Sequence, residues 1–514
     1  MKKLLPIIGT LFIIGLNINA FGQSAPVNKT TGDSATVNAT YLNIIKRCTE
    51  AIKSGTLNNA QLAAMHYQRS AAEIKLKDYD KCITDCTAAI ALNPQIPGAY
   101  WNRGLGYEHN KNYQLAINDY NNALLYLSAD KKSSAILYNN IAIIERDLKQ
   151  YDKAIEDCSL AIVLNPDYAP AYDNRARVYS LTGKYQLAIN DLSNAMYGYK
   201  DNAVALSKVF FQRANMKKAL KQYKDAINDY SFAIKLMPDN KFAYWSRASV
   251  YYNDGDYQLA NDDYNKAIAF FKDDKKSLSN LYDDRARMEQ GQLLYNKAIE
   301  DDSLAIVLNP QFAVAYWNKA DSHAQNGDFR LSIVDYKKTI NFYQASKPQL
   351  AQLYVSIANN EYLLNEFQNS IDDCNTALSM DPQSWAPYLY RGRAYFKMNN
   401  KDLAMADFKN ILAKDTSKKS VDYAFALYYT GAPDKAIEVM QNNIVGETNP
   451  YFLLVYYYNT ACLLSLMNKP DEATGYIKKS MDAGYPKKYI LADADMDNIR
   501  NTDGFKKIIS GSKN

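Results

Sequence analysis

Apolar and small residues recur three and four positions apart along this chain, run after run, with short polar breaks between. That spacing lines one face of a helix. Residues 169–202 show the unit. Tyr172, Ala176 and Tyr179 mark the buried face of a first helix, Gly183-Lys184-Tyr185 a turn, and Ala188, Leu192 and Ala195 the buried face of a second. The small residues Ala176, Ala188 and Ala195 let the two helices approach closely, and the tyrosines fill the space around them. Where Leu-Asn-Pro follows a second helix, the proline stops it.

The unit repeats. Ala154–Tyr172 (AIEDCSLAIVLNPDYAPAY) and Ala298–Tyr316 (AIEDDSLAIVLNPQFAVAY) lie 144 residues apart and nearly coincide. A proline corner falls every 72 residues, at Pro94, Pro166, Pro238, Pro310 and Pro382, and sister segments end near Asp130, Asn202, Asp274 and Ser346, again 72 apart. Each 72 is two units of 34 with four extra residues at the second junction. Ten full repeats start at 63, 97, 135, 169, 207, 241, 279, 313, 351 and 385. Two looser ones cover 417–450 and 454–485, and a lone second-helix half, Tyr41–Ser54, precedes them all. The expected organisation is a solenoid over 41–416, two divergent repeats over 417–485 and a capping segment over 486–514.

Two columns of charge run through the repeats. Position 23 is Asp in all ten, and position 7 is Arg or Lys in eight. This predicts ion pairs within each hairpin: Arg103 with Asp119, Arg175 with Asp191, Arg213 with Asp229, Arg247 with Asp263. Taken as exposed pairs they would contribute only about 0–1 kcal/mol each. Their expected value is geometric, because a bidentate arginine fixes the angle between helices. Ile141 and Ile357 break the column, so Asp157 and Asp373 need other partners.

The repeat resembles the tetratricopeptide repeat, with a large aromatic at position 4, Gly or Ala at 8, Tyr at 11 or 17, Ala at 20 and 27 and Pro at 32. One repeat supplies Tyr100, Gly104, Tyr107, Tyr113, Ala116 and Ala123; another supplies Tyr138, Ala142, Tyr151, Ala154, Ala161 and Pro166. The resemblance covers about nine-tenths of the chain. It implies an all-α fold, a right-handed superhelical solenoid of antiparallel helix hairpins whose first helices line a concave groove. It further implies that a ligand touches positions 2, 5, 6, 9 and 12 of those helices. Around those positions stand Tyr67, Trp101, Asn102, Asn139, Asn174, Arg177, Phe211, Asn215, Trp245, Arg287, Trp317, Asn318 and Asn359. Rings that bury area beside amides that pair with backbone suit an extended peptide. Packing of the tryptophans against the next helix is an equal reading. The lysine and asparagine clamp that relatives use for a chaperone's C-terminal carboxylate is not reproduced by Tyr67, Ala71, Asn102, Ile136 and Asn140. The expected function is a non-catalytic scaffold for a partner protein or extended peptide. Because Trp and Asn also suit sugar rings, a carbohydrate or cell-wall binding module is the alternative.

The two ends differ from the repeats. From Leu491, LADADMDNIRNTDGFKKII resembles the closing segment of bacterial proteins of this family, where an aspartate-rich turn and a last helix cover the open end. Asp493, Asp495 and Asp497 have a calcium-like spacing but lack the glycine and distant glutamate of an EF-hand loop, so no metal is expected. Residues 1–22 read as a secretory signal, with Lys2 and Lys3, an apolar run from Leu4 to Leu16 too short to span a bilayer comfortably, and small residues after it. Cleavage after Gly22 would leave Gln23 first, and the mature protein would lie in the periplasm or outside the cell. Residues 23–40 are polar and read as a flexible lead-in.

Composition removes other classes. The net charge of +5, from 60 basic and 55 acidic residues, rules out a strongly basic arm for nucleic acid. Three histidines (His66, His109, His323) offer little to a metal or acid–base centre, and His66 and His323 fall at packing positions. No phosphate loop, H-E-x-x-H or G-x-S-x-G motif occurs. Acidic pairs such as Asp301-Asp302 recur at fixed repeat positions, which marks architecture. Cys48, Cys86, Cys158 and Cys374 all fall at position 24, so buried thiols are expected, with a Cys48 link to Cys82 or Cys86 left open. No cofactor and no enzymatic activity is expected.

Overall fold

A computed structural model describes residues 34–127, 129–344 and 346–511; the expected leader lies outside them. Among the described residues there are twenty-seven α-helices, one short 3-10 turn and no strand. The all-α hairpin architecture is therefore the observed one. The leading half-repeat starts earlier than expected. Ser34–Lys53 is one helix, so residues 34–40, read as lead-in, are helical. No Gly or Pro interrupts that stretch, and nothing else there breaks a helix.

The described residues divide into two compact units, one ending at Asp254 and the other beginning at Gly255. Within each, the helices of the repeats pack each on the next, and several successive first helices also pack directly on one another, as Lys131–Asp147 does on Ala169–Leu181 and Lys347–Leu363 on Ala386–Lys397. The period of 72 has a structural meaning. First helices alternate between long (Lys131–Asp147, Ala203–Ala219, Lys275–Gly291 and Lys347–Leu363, 17 residues each) and short (Pro97–His109, Ala169–Leu181 and Ala313–Gln325, 13 each). The four extra residues bring a cap for the longer helix. Asp130, Asn202 and Asp274 each accept the backbone N–H three residues on, and Ser346 forms a capping box with Gln349.

The charge columns meet as expected, with more burial than expected. Arg103, Arg175 and Arg213 each donate two hydrogen bonds to Asp119, Asp191 and Asp229, at 2.8 Å throughout. The aspartates are buried, 4–6% exposed in their side chains. Each arginine has a third partner. Its remaining nitrogen donates to position 25 of the preceding second helix: Arg103 to Thr87, Arg175 to Ser159, Arg213 to Ser193, Arg247 to Ser231 and Arg391 to Asn375. Tyrosines sandwich the cation, as Tyr172 and Tyr179 do for Arg175 at 5.9 and 6.0 Å. One guanidinium thus joins a hairpin internally and to its predecessor. Such pairs are half-buried clamps, and the surface-pair magnitude does not apply to them.

Where isoleucine replaces the arginine, a proton replaces the cation. Ile141 and Ile357 are buried. The hydrogen-bond partner of Asp157 is Glu145, and that of Asp373 is Glu361. Burial, then the neighbouring aspartate, pushes Glu145 up to about 7 and Glu361 to about 8. Each glutamic acid takes up a proton against its aspartate as pH falls through about 7 for Glu145 and about 8 for Glu361. Lys153 and Glu156 flank the first pair; Lys337, Glu366 and Asp372 flank the second. One acidic pair is not wholly architectural in the expected sense. Asp301 belongs to the column, but Asp302 replaces Cys158 of the twin repeat in the core, fully buried with neither oxygen bonded. Burial, then Asp283 and Asp301, pushes it up to about 9, so it is carried as a neutral acid at neutral pH.

A carboxyl raised in the folded chain stabilises it while protonated. That contribution is complete below the unfolded value near 4.5 and is lost as pH climbs through 7 to 8. Amide hydrogen exchange, corrected for intrinsic rates, should therefore show residues 131–164 and 347–380 losing protection between pH 6 and 8.5. The arginine-clamped hairpin 169–198 should lose less; equal loss would contradict the shared-proton pairs.

Candidate functional site

The inner row expected to meet a ligand is set by the first helices, and its residues have different fates. In the first unit Trp101 is core, 8% exposed and packed with Tyr120, Leu137 and Ile141. The packing reading holds for it. Tyr67 lies so close over the next first helix that a Cβ on Gly98 would collide with its ring, which is why that helix begins Pro97-Gly98. Phe211 leans on Tyr230 at 5.8 Å, and the Tyr230 hydroxyl donates to Asn215. Asn174 donates to Asn139 at 2.8 Å across successive first helices, and Asn102 donates to Ser70. These amides tie helices to each other, so fewer face outward than the sequence suggested. Trp245 is half-buried. Arg177 is exposed, its nearest carboxylate Asp173 at 3.7 Å.

The second unit repeats the amide tie, with Asn318 donating to Asp283 at 2.9 Å. Arg287 reaches Asp283 at 3.4 Å and also pairs with Asp284, and Trp317 stands edge-on to Tyr343. Asn359 donates to the Tyr489 hydroxyl at 3.0 Å. That last contact leads to a correction. The tail was expected to cover the open end of the last hairpin. Only Asp503–Gly511 does so, packing on the last second helix, Pro470–Asp482. Residues 485–500 instead lie along the first helices, on the row expected to bind.

Arg393, at position 9 of its repeat, holds this tail and was missed by the sequence reading. Its guanidinium pairs with Asp495, and with Asp493 at 3.4 Å. Tyr458 donates to Asp493 at 2.5 Å and Tyr362 to Asp495 at 3.2 Å. Lys397 donates to the Ala494 carbonyl, Ser465 to the Asp495 carbonyl, and Lys488 reaches Asp328. Ile490, Met496 and Ile499 complete the seal. The aspartate-rich turn has its cation, and the cation is an arginine. Among the described residues no cluster suited to a metal ion occurs. The signal for Arg393 was present, since position 9 also carries Arg177 and Arg287.

The histidines and cysteines show no reactive arrangement. His66 bonds Asp85 at 2.9 Å beside Arg69, His109 stacks on Tyr79 at 4.0 Å, and His323 is buried. All six cysteines are buried and unpaired, with Cys82 and Cys86 sulfurs 3.8 Å apart. Among the described residues no helix is long and apolar enough to cross a membrane.

Removing Arg393 would leave two buried carboxylates without their cation, at a cost of about 3–5 kcal/mol. Arg393→Gln should free residues 485–511 to limited proteolysis while hairpin 169–198 keeps its exchange protection. A tail that stays resistant would show that the apolar seal alone holds it.

Residues 67–133, 135–168 and 211–275 match tetratricopeptide repeat families. The chain is similar to a DnaJ protein homolog of Arabidopsis thaliana, 21% identical over 349 residues, 68% of this chain and 61% of that protein. It is also similar to the DnaJ homolog subfamily C member 7 homolog of Dictyostelium discoideum, 26% identical over 237 residues, 45% of this chain and 42% of that one. A third relative is human tetratricopeptide repeat protein 6, 23% identical over 297 residues, 51% of this chain and 56% of its own. The chain thus spans less than two thirds of these relatives. Among solved structures, the C-terminal part of a repeat-containing protein from Cytophaga hutchinsonii is 18% identical, covering 49% of this chain and 98% of its own, with a TM-score of 0.43.

Proposed function

Since this chain is built of tetratricopeptide repeats, whose family supplies scaffolds for protein–protein interaction, we propose that it is a non-catalytic scaffold. It grips an extended segment of a partner protein on the inner face of its first helices. The observation that carries this reading is the tail. In the second unit that same row already holds a segment of the chain's own tail, folded as a short helix and a 3-10 turn, by a guanidinium, tyrosine hydroxyls, an amide and apolar side chains. The row there is filled from the helix of Asn359 to that of Tyr458, and the reading puts the partner on the first unit, along the helices that carry Tyr67, Phe211 and Trp245. Preformed recognition of this kind needs no chemistry from the scaffold, only complementary side chains held in register.

Cross-linked affinity capture tests it. Full-length protein should retain a partner that a Phe211→Ala, Trp245→Ala variant, shown folded by circular dichroism, loses. Equal capture by both would move the binding surface elsewhere.

Export is part of the same reading, supported by Lys2, Lys3 and the apolar run to Leu16. N-terminal sequencing of the protein from the native envelope should begin at Gln23; a chain beginning at Met1 and fractionating with the cytoplasm would refute it.

A further inference from the structure

We propose that the partner segment is acidic, with carboxylates two residues apart, and that it is read between Arg146 and Arg177 of the first unit. This rests on the scaffold reading and names the chemistry of its ligand. The argument is one of register. In the second unit an Asp-Ala-Asp stretch, Asp493 to Asp495, is held by Arg393 at position 9 of one first helix and Tyr362 at position 12 of the helix before. The repeat period is 72 residues, and three periods earlier the same two positions are Arg177 and Arg146. No other repeat of the first unit has a basic residue at both positions.

The two sites differ in completeness. Arg393 is enclosed, 7% exposed in its side chain, with the tail's aspartates upon it. Arg177 is 48% exposed. Its own neighbour Asp173 stands where the second unit has Leu389, and it is a weak counterion at 3.7 Å, its carboxyl raised by burial. Arg177, Lys208 and Arg146 all act on that one carboxylate. Arg146 is also committed to Asp147 at 2.7 Å and touches Asn174 at 3.5 Å, which fixes its guanidinium beside the row. Three cations therefore act on the half-buried Asp173, of which Arg146 has Asp147 as a further partner, and the exposed Arg177 sits at the position that reads aspartate in the sister site. An incoming Asp-x-Asp segment would supply the missing negative charge, with small residues between letting its backbone approach the helices.

The test uses full-length protein and a fluorescent nonapeptide, LADADMDNI, the sequence of residues 491–499, against its neutral twin LANANMNNI. Fluorescence anisotropy should show the acidic peptide binding and the neutral one at least about ten-fold weaker, with affinity falling as salt rises. Arg177→Ala should weaken the acidic peptide by roughly ten-fold, and Lys235→Ala, an exposed cation on a second helix, should not. Equal binding of the two peptides, no binding, or indifference to Arg177→Ala would each overturn the inference. Indifference to Arg177→Ala with the acidic peptide still bound would overturn it in favour of exchange with the tail in the second unit. If the peptides fail while partner capture still depends on Phe211 and Trp245, only the acidic reading falls; if both fail, the scaffold reading falls with it.

Discussion

The structure depends on a guanidinium gripping a carboxylate sixteen residues downstream. An isolated helix hairpin of this size buries too little apolar surface to hold its own angle. The arginine at position 7 supplies the angle, because its planar fork meets the aspartate in one geometry. The same cation also reaches the hydroxyl or amide of the preceding repeat. A single side chain therefore sets both the opening of a hairpin and its stacking on the one before. The tyrosines that flank it exclude water, which strengthens the pair and explains part of the chain's large complement of 43 tyrosines.

Two of the ten full repeats lack that cation and set a glutamic acid with a raised pKa against the Asp. The angle is kept, but its permanence is not, since a proton leaves at a pH that no arginine notices. Asp302 carries the same vulnerability without a partner. The near-identical repeats around Cys158 and Asp302 thus differ in their response to alkali while sharing one shape.

Most of the fold was legible in the sequence, and the reasons are particular. Ala188, Ala195 and their counterparts can occupy only a helix–helix contact, and the fixed step of 72 places each of them. The ion-pair column was legible because both partners fall at constant positions. Its burial was not, because burial depends on the next repeat's helix, which periodicity does not describe. The site was less legible. Trp101 was read as equally suited to ligand or core, and its burial in one cluster with Leu137 of the next first helix decides for core. Asn139 and Asn174 look free in sequence and are bonded to each other. The tail's seat was hidden because it joins residues about a hundred positions apart, Arg393 to Asp493 and Asp495, with no repeat to relate them.

The alternation of long and short first helices has a consequence for how such an array can change. A long helix carries its extra turn and cap at one junction in two, and its neighbours are cut to fit beside it. Deleting or duplicating a single hairpin would set two long or two short helices side by side and leave a turn unmatched. Removing or adding a pair restores the pattern at both new joints. Length variation in proteins of this design should therefore be quantised in double hairpins, and a recombinant with an odd number of them should betray its seam.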